Sequence, residues 1–273
     1  MERGRGRARS PSDPAHPPSS PAALPLPSER VSVVIPALDE AEHIAATLAS
    51  VTGQPGPVEV IVVDGGSTDG TAAMARDALA RSAVASSTVL ASERGRARQM
   101  NAGAARATGS VLVFLHADTQ LPHDALAAVR EGLSDAAVAG GCFRTTFDDT
   151  HSPWMRLWQA RMWMGWHRFA FGDRALFVRR SVFEAAGGFP DQPIFEDLDM
   201  VRAVRRHGRF RFLDAAVVTS ARRYRRHGAL RQQLRNFGLW LGWNAGVSPA
   251  RLKRFYSDAP SERSLLHSET QKA

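Results

Sequence analysis

From residue 31 onward, short runs rich in β-branched residues alternate with alanine-rich stretches whose apolar positions recur at helical spacing. VSVVIP (31–36), VEVIVVD (58–64), SSTVLAS (86–92) and SVLVFLHAD (110–118) are nearly unbroken apolar runs, as in strands covered on both faces. Segments 40–51, 71–81 and 97–108 lie between them and read as amphipathic helices. Strand and helix in alternation predict βαβ units, and hence an α/β architecture around a predominantly parallel sheet. Downstream, Pro122 opens a further helix, 138–147 and 175–180 read as strands, 196–208 as a helix closed by Gly208, and 230–246 as a last helix.

The flanks follow no such period. Residues 1–28 pass from Arg-Gly repeats into a proline- and serine-rich stretch, which predicts a disordered leader, and 257–273 reads as a flexible tail. Residues 29–256 are then expected to form one domain, since 273 residues with 44% hydrophobic content suffice for a large core with a helical appendage. Segment 154–172, WMRLWQARMWMGWHRFAFG, holds four of the six tryptophans. Its wheel mixes aromatics with arginines, and two readings stand level: an interfacial helix or acceptor-side wall, and ordinary packing under the sheet.

Composition narrows the setting. Cys142 is the single cysteine, so no intramolecular disulfide forms, and nothing near it has the spacing of a structural zinc site. No run approaches the roughly 20 apolar residues that span a bilayer, and no apolar segment follows the basic N-terminus as in a secretory signal. A cytoplasmic chain is expected. The formal charge of +8 is concentrated, with eleven arginines against one acid, Asp214, between Arg202 and Arg235. Such a patch fits an anionic partner, for which a peripheral membrane contact is expected ahead of nucleic acid. The competing reading is a solvated face in a chain with only two lysines.

In an open parallel sheet, ligands collect at the carboxyl ends of the strands. Here the first strand leads into Pro36-Ala37-Leu38-Asp39-Glu40, the second into Asp64-Gly65-Gly66-Ser67-Thr68-Asp69-Gly70, and the fourth into His116-Ala117-Asp118. A strand-end aspartate can accept hydrogen bonds from ribose or from a base N–H, and neighbouring glycines let a ligand approach the backbone. Asp64 could equally serve only its own turn, with Ser67-Thr68-Asp69 capping the next helix. Asp118 emerges at the same edge, where a hard divalent cation would bridge it to phosphates; its alternative role is to cap the helix near Pro122. The stretch Gly95-Arg96-Ala97-Arg98-Gln99 opens a helix there, suited to a pyrophosphate or merely solvated. Glu196-Asp197 begins another helix, as dipole partners or with one acid as a general base. No G-x-G-x-x-G follows the first strand and no G-x-x-x-x-G-K-[ST] occurs, which argues against dinucleotide oxidoreductases and P-loop enzymes.

In their order along the chain, VSVVIPALDE, VIVVDGGSTDGT, FLHAD, GGF and ED resemble the family 2 glycosyltransferases. The strings GRARQMNAGA, GDRALFVRR and TSARRYRRHG resemble the bacterial subgroup called radical-SAM/selenodomain-associated transferase 2, and the similarity covers about residues 30–256. This resemblance implies a Rossmann-like GT-A fold with a C-terminal helical segment. It also implies inverting transfer from a nucleotide-diphospho-sugar, often a UDP-sugar, with Mg²⁺ or Mn²⁺. By motif, it puts Pro36, Asp39 and Glu40 at the base and ribose, Asp64 on the base beside Gly65, and Arg96 and Gln99 along the donor. It makes Asp118 a metal ligand and Asp197, paired with Glu196, the general base. The sequence departs from the family twice. His116 stands at the first position of the D-x-D metal motif, leaving its metal or ribose contact open. Q-x-x-R-W is absent, and Arg222-Arg223-Tyr224 stands as its remnant, with Arg223 assigned to the diphosphate or acceptor.

Sugar transfer to a hydroxyl of a lipid or small molecule is therefore the leading expectation. Nucleotidyl transfer also uses an α/β fold with a metal-binding aspartate, but normally places a glycine- and lysine-rich loop where this chain has PALDE. A non-catalytic protein that holds an anionic membrane or nucleic acid through the arginine patch is the third reading.

Overall fold

The computed structural model describes residues 29–148 and 174–256; the expectations for 1–28, 154–172 and 257–273 fall outside them. Strand β1 (Val31–Ala37), helix α1 (Ile44–Thr52), β2 (Val58–Asp64), α2 (Thr71–Ala80), β3 (Ser86–Ala91), α3 (Arg96–Arg106) and β4 (Val111–Phe114) follow the apolar periods. β1 pairs in parallel with β2 and with β4, and β2 with β3. Successive strand residues point to opposite faces, and both faces are covered. Val33, Ile35, Val60 and Val62 pack with Ile44, Leu48 and Leu79 of α1 and α2. Val34, Ile61 and Val63 pack with Ala97, Met100 and Ala104 of α3 on the other side.

Beyond β4 the simple alternation breaks. The apolar run to Asp118 is not one strand: Thr119 N–H donates to the His116 carbonyl, and the chain turns into a short β5 (Thr119–Gln120). There follow α4 (Ala125–Gly132), β6 (Val138–Phe147), β7 (Leu176–Arg179), α5 (Arg180–Ala185), α6 (Glu196–His207), β8 (Arg209–Thr219), α7 (Arg222–His227), α8 (Ala229–Asn244) and α9 (Pro249–Tyr256). β7 inserts antiparallel between β4 and β6, so the described strands run β3-β2-β1-β4-β7-β6-β8-β5. The strand expected over 175–180 is shorter because Arg180 already begins α5. β8, parallel to β6, lies inside the arginine-rich stretch that had no strand assigned to it. Gly140 and Gly141 let β7 and β8 close on β6, since a Cβ at Gly140 would sit 2.6 Å from the Phe177 carbonyl oxygen and one at Gly141 would collide with the carbonyl of Arg211.

Candidate active site

The carboxyl ends of β1, β2 and β4 open on one edge, as parallel pairing requires. Asp64, buried at the end of β2, accepts hydrogen bonds through Oδ2 from the N–H groups of Gly66 and Ser67, each at 3.1 Å. One oxygen thus shapes the turn, and the other, Oδ1, is buried and meets no donor among the described residues. The loop after β2 is clamped to the loop after β1. Ser67 Oγ accepts from Asp39 N–H at 3.0 Å, Asp39 Oδ1 accepts from Thr68 N–H at 2.9 Å, and Asp69 Oδ2 accepts from Ala41 N–H at 2.9 Å. Ser67 and Thr68 therefore join loops, while Asp69 does serve the start of α2, its Oδ1 accepting from the Thr71 N–H at 3.0 Å. Asp39 holds φ 51, a left-handed conformation sustained by these bonds. Pro36 is buried within β1, opposite Val63.

Gln99, expected along the donor, instead donates through Nε2 to the carbonyls of Ala37 and Val63, at 2.7 and 2.8 Å. It lies against Gly65, where a Cβ would be 3.0 Å from the Gln99 amide. Gln99 therefore ties the ends of β1 and β2 together, and Gly65 makes room for it.

Two arginines organise the remaining acids. Arg222 at the start of α7 pairs with Glu40 Oε1 and lies 3.5 Å from Asp118 Oδ2. Burial raises the Glu40 carboxyl above its usual range, against the pull of Arg222. Asp118 does not cap the next helix, because α4 begins at Ala125. Its carbonyl accepts from Ser220 N–H at 3.1 Å, which fixes it to the end of β8. Arg96, the first residue of α3, pairs with Glu196 Oε1 and reaches Asp197 Oδ2 at 3.8 Å and His116 Nε2 at 3.5 Å. Glu196 is 1% exposed, and its Oε2 has no hydrogen-bond partner among the described residues. Phe195 carries the acidic pair into place with φ 65 at the head of α6. Burial, then the cations Arg96 and Arg223, push His116 well below its ordinary value, so the ring is neutral at pH 7.

The arrangement bears on a metal. Among the described residues no three histidine, cysteine, aspartate or glutamate side chains converge as ligands. A single carboxylate, Asp118, at this edge fits a hard cation only where phosphate oxygens and water would supply its other ligands. His116, expected at the metal, turns Nε2 toward the Arg96 guanidinium, a neighbour that repels a cation. Arg223 approaches His116, whereas Arg222, its neighbour in the same motif remnant, is the residue on the acids.

The family described as Glycosyl transferase family 2 matches residues 32–189. Glycosyltransferase AglE of Haloferax volcanii is 38% identical over 96 residues, 34% of this chain and 31% of that protein. The mannosyltransferase PcManGT from Pyrobaculum calidifontis, in complex with GDP-Man and Mn²⁺, superposes with a TM-score of 0.60 at 24% identity, over 71% of this chain and 57% of that one. S. aureus TarS 1–349 in complex with UDP-GlcNAc superposes with a TM-score of 0.56 at 16% identity, over 70% of this chain and 58% of that one. The chain spans about a third of the length of the curated relatives it matches.

Proposed function

The chain belongs to glycosyl transferase family 2, with the GT-A fold, and on that premise we propose that it moves a sugar from a nucleotide-diphospho-sugar to an acceptor hydroxyl with inversion. The observation that carries this reading is the pair of arginine bridges. Arg222 joins Glu40 to Asp118, and Arg96 joins His116 to Asp197, so the donor-side acids and the acidic pair of α6 share one rim. Asp64, with its unpartnered Oδ1, takes the base or ribose, assisted by Asp39 and Glu40. Asp118 would hold Mg²⁺ or Mn²⁺ together with the donor's phosphates, and the ion would neutralise the departing diphosphate. Asp197 takes the proton of the acceptor hydroxyl. That oxygen attacks the anomeric carbon as the bond to the diphosphate breaks on the opposite face, and nucleoside diphosphate leaves.

UDP and GDP sugars are the donors to try first, since TarS is solved with UDP-GlcNAc and the mannosyltransferase with GDP-Man. The acceptor is a lipid or small molecule, and the site of action the cytoplasm or its membrane face. The strings GRARQMNAGA and GDRALFVRR support placing the chain in the radical-SAM/selenodomain-associated transferase 2 subgroup.

A thermal-shift screen of nucleotide-sugars with and without Mn²⁺, followed by donor turnover, tests this. The donor should raise the melting temperature more with Mn²⁺ than without, and Asp118→Ala should lose that increment. Asp197→Asn should keep donor binding while turnover falls by about 10²–10⁴. Undiminished turnover in Asp197→Asn would remove the base, and no shift with any nucleoside diphosphate would remove the whole reading.

A further inference from the structure

Helix α8 carries two apolar faces, and one of them is covered. Its inner side sets Leu239, Trp240 and Trp243 against Ile194, Phe195, Leu198 and Leu252. On the outer side Leu230, Leu234, Phe237 and Leu241 recur at spacings of four, three and four, with exposures of 45%, 63%, 44% and 48%. That spacing makes a single stripe, and Leu239 falls about half a turn away from it at roughly 100° per residue. Phe255 of α9 is 64% exposed, and Arg235 of α8 ties α9 to α8 by donating to the Phe255 carbonyl. Scattered apolar side chains are ordinary on a protein surface; a periodic stripe of four marks a contact.

The charge around the stripe has one sign. From 215 to 256 the chain contains nine arginine and lysine residues and no aspartate or glutamate. Arg231 and Arg235 lie on α8 with the stripe, and Arg251, Lys253 and Arg254 on α9. We propose that α8 lies flat on an anionic lipid surface, with Leu230, Leu234, Phe237 and Leu241 at the boundary of headgroups and acyl chains and the cations of α8 and α9 near lipid phosphates. The helix lies on the bilayer rather than crossing it: among the described residues no helix is long and apolar enough to span one. A second copy of the chain fits the patch poorly, because face-to-face pairing would oppose cations with cations and offer no acid. Nucleic acid would use the cations but give the aliphatic side chains nothing to do.

This face lies close to the acidic pair. Trp243, on the inner side of α8, meets the Phe195 ring at a centroid distance of 5.5 Å, and Phe195 precedes Glu196. On the sugar-transfer reading above, on which this one step rests, an acceptor standing in the membrane would approach Asp197 across about one helix diameter, 10–12 Å.

Flotation of the full chain with vesicles tests the contact directly. The protein should float with phosphatidylcholine vesicles containing roughly one third phosphatidylglycerol, and at least about tenfold less with phosphatidylcholine alone, because surface potential adds to each basic residue's contribution. The triple variant Leu234→Ser, Phe237→Ser, Leu241→Ser should lose about tenfold or more in vesicle affinity, with its melting temperature and donor binding unchanged. A chain that stays at the bottom of the gradient with anionic vesicles overturns the proposal. So does a triple variant that floats like the wild type, or one whose parent prefers an RNA homopolymer to the vesicles. Flotation is read without any sugar transfer, so a failure of the transferase reading leaves this result standing.

Discussion

Glu59 is a charged residue inside the apolar run of β2, ahead of the strand-end Asp64, and it is 6% exposed. Burial alone would raise its carboxyl; hydrogen bonds from Ser32, the Thr108 N–H and the Thr108 hydroxyl outweigh it and hold the group below its ordinary 4.5. A carboxylate depressed in the folded state contributes stability that is present above its unfolded value and lost as pH falls through the folded one. Glu59→Gln should therefore cost about 1–3 kcal/mol at pH 7, and the gap to the wild type should close as denaturant titrations are taken below its ordinary 4.5. A gap constant from pH 7 to pH 3 would show that the charge contributes nothing. The same scale shows what could be read from sequence. Asp64 was legible because it closes β2 at the edge where ligands collect in a parallel sheet, and Asp118, which lies past the turn that follows β4, because its loop leaves the sheet at that same edge. Gln99 was not, because its two backbone acceptors, on Ala37 and Val63, come from strands 62 and 36 positions away. The choice of Arg222 over Arg223 was not legible either: the phase of the six-residue helix α7 decides which of two adjacent arginines faces Glu40.

Among the elements, the half from β1 to β4 was written plainly, since strands buried on both faces need unbroken apolar runs and the helices between them need period 3.6. The second half was harder for a physical reason. β8 begins RFRF, a period of two, with Phe210 and Phe212 packed beside the α3-side core and Arg209 and Arg211 turned outward. Counted as charge it looks like a solvated basic patch; read by alternation it is a half-covered strand. The β6 segment was recognisable in spite of its glycine pair, but the reason for the pair lay in the neighbouring strands. Gly141→Ala would push a methyl group into the Arg211 carbonyl and the Phe177 ring, both held by the sheet. The expected loss is about 2–4 kcal/mol with no change in donor contacts, which a denaturation curve and a nucleotide titration would separate. Gly187→Ala meets no atom within 4 Å, so although it stands at φ +80 it should cost less, about 1 kcal/mol of backbone strain. Equal losses at the two positions would mean that strand approach is not what Gly141 serves.

At the scale of the whole molecule, the parallel half carries Asp64 and Arg96 and the mixed half carries Glu196 and Asp197, so Arg96 joins the two halves at the rim, as Arg222 does through Glu40. Arg96 is suited to this because its planar guanidinium presents several donors at once, and it touches Glu196, Asp197 and the neutral His116 together. Removing it leaves Glu196, 1% exposed, with neither oxygen paired to a cation among the described residues. Because Arg96 itself is 40% exposed and its ion pairs are partly screened, Arg96→Ala should cost about 1–3 kcal/mol rather than the full penalty of a buried unpaired charge. Arg96→Lys separates the two tasks. An ammonium is a point charge on a flexible stem and can neutralise Glu196, but it cannot span to Asp197 and His116 in the same geometry. The lysine variant should recover most of the melting temperature while kcat/KM stays about tenfold or more below the wild type, because orientation at the reacting atoms is lost while the charge is kept. The discriminating measurement is the pair of values, melting temperature and kcat/KM, on both variants with a donor identified by thermal shift. If lysine restores both, Arg96 supplies charge alone and the two halves are positioned by the sheet; if it restores only stability, the guanidinium fork is what holds Glu196 and Asp197 at the rim that carries His116 and Asp118.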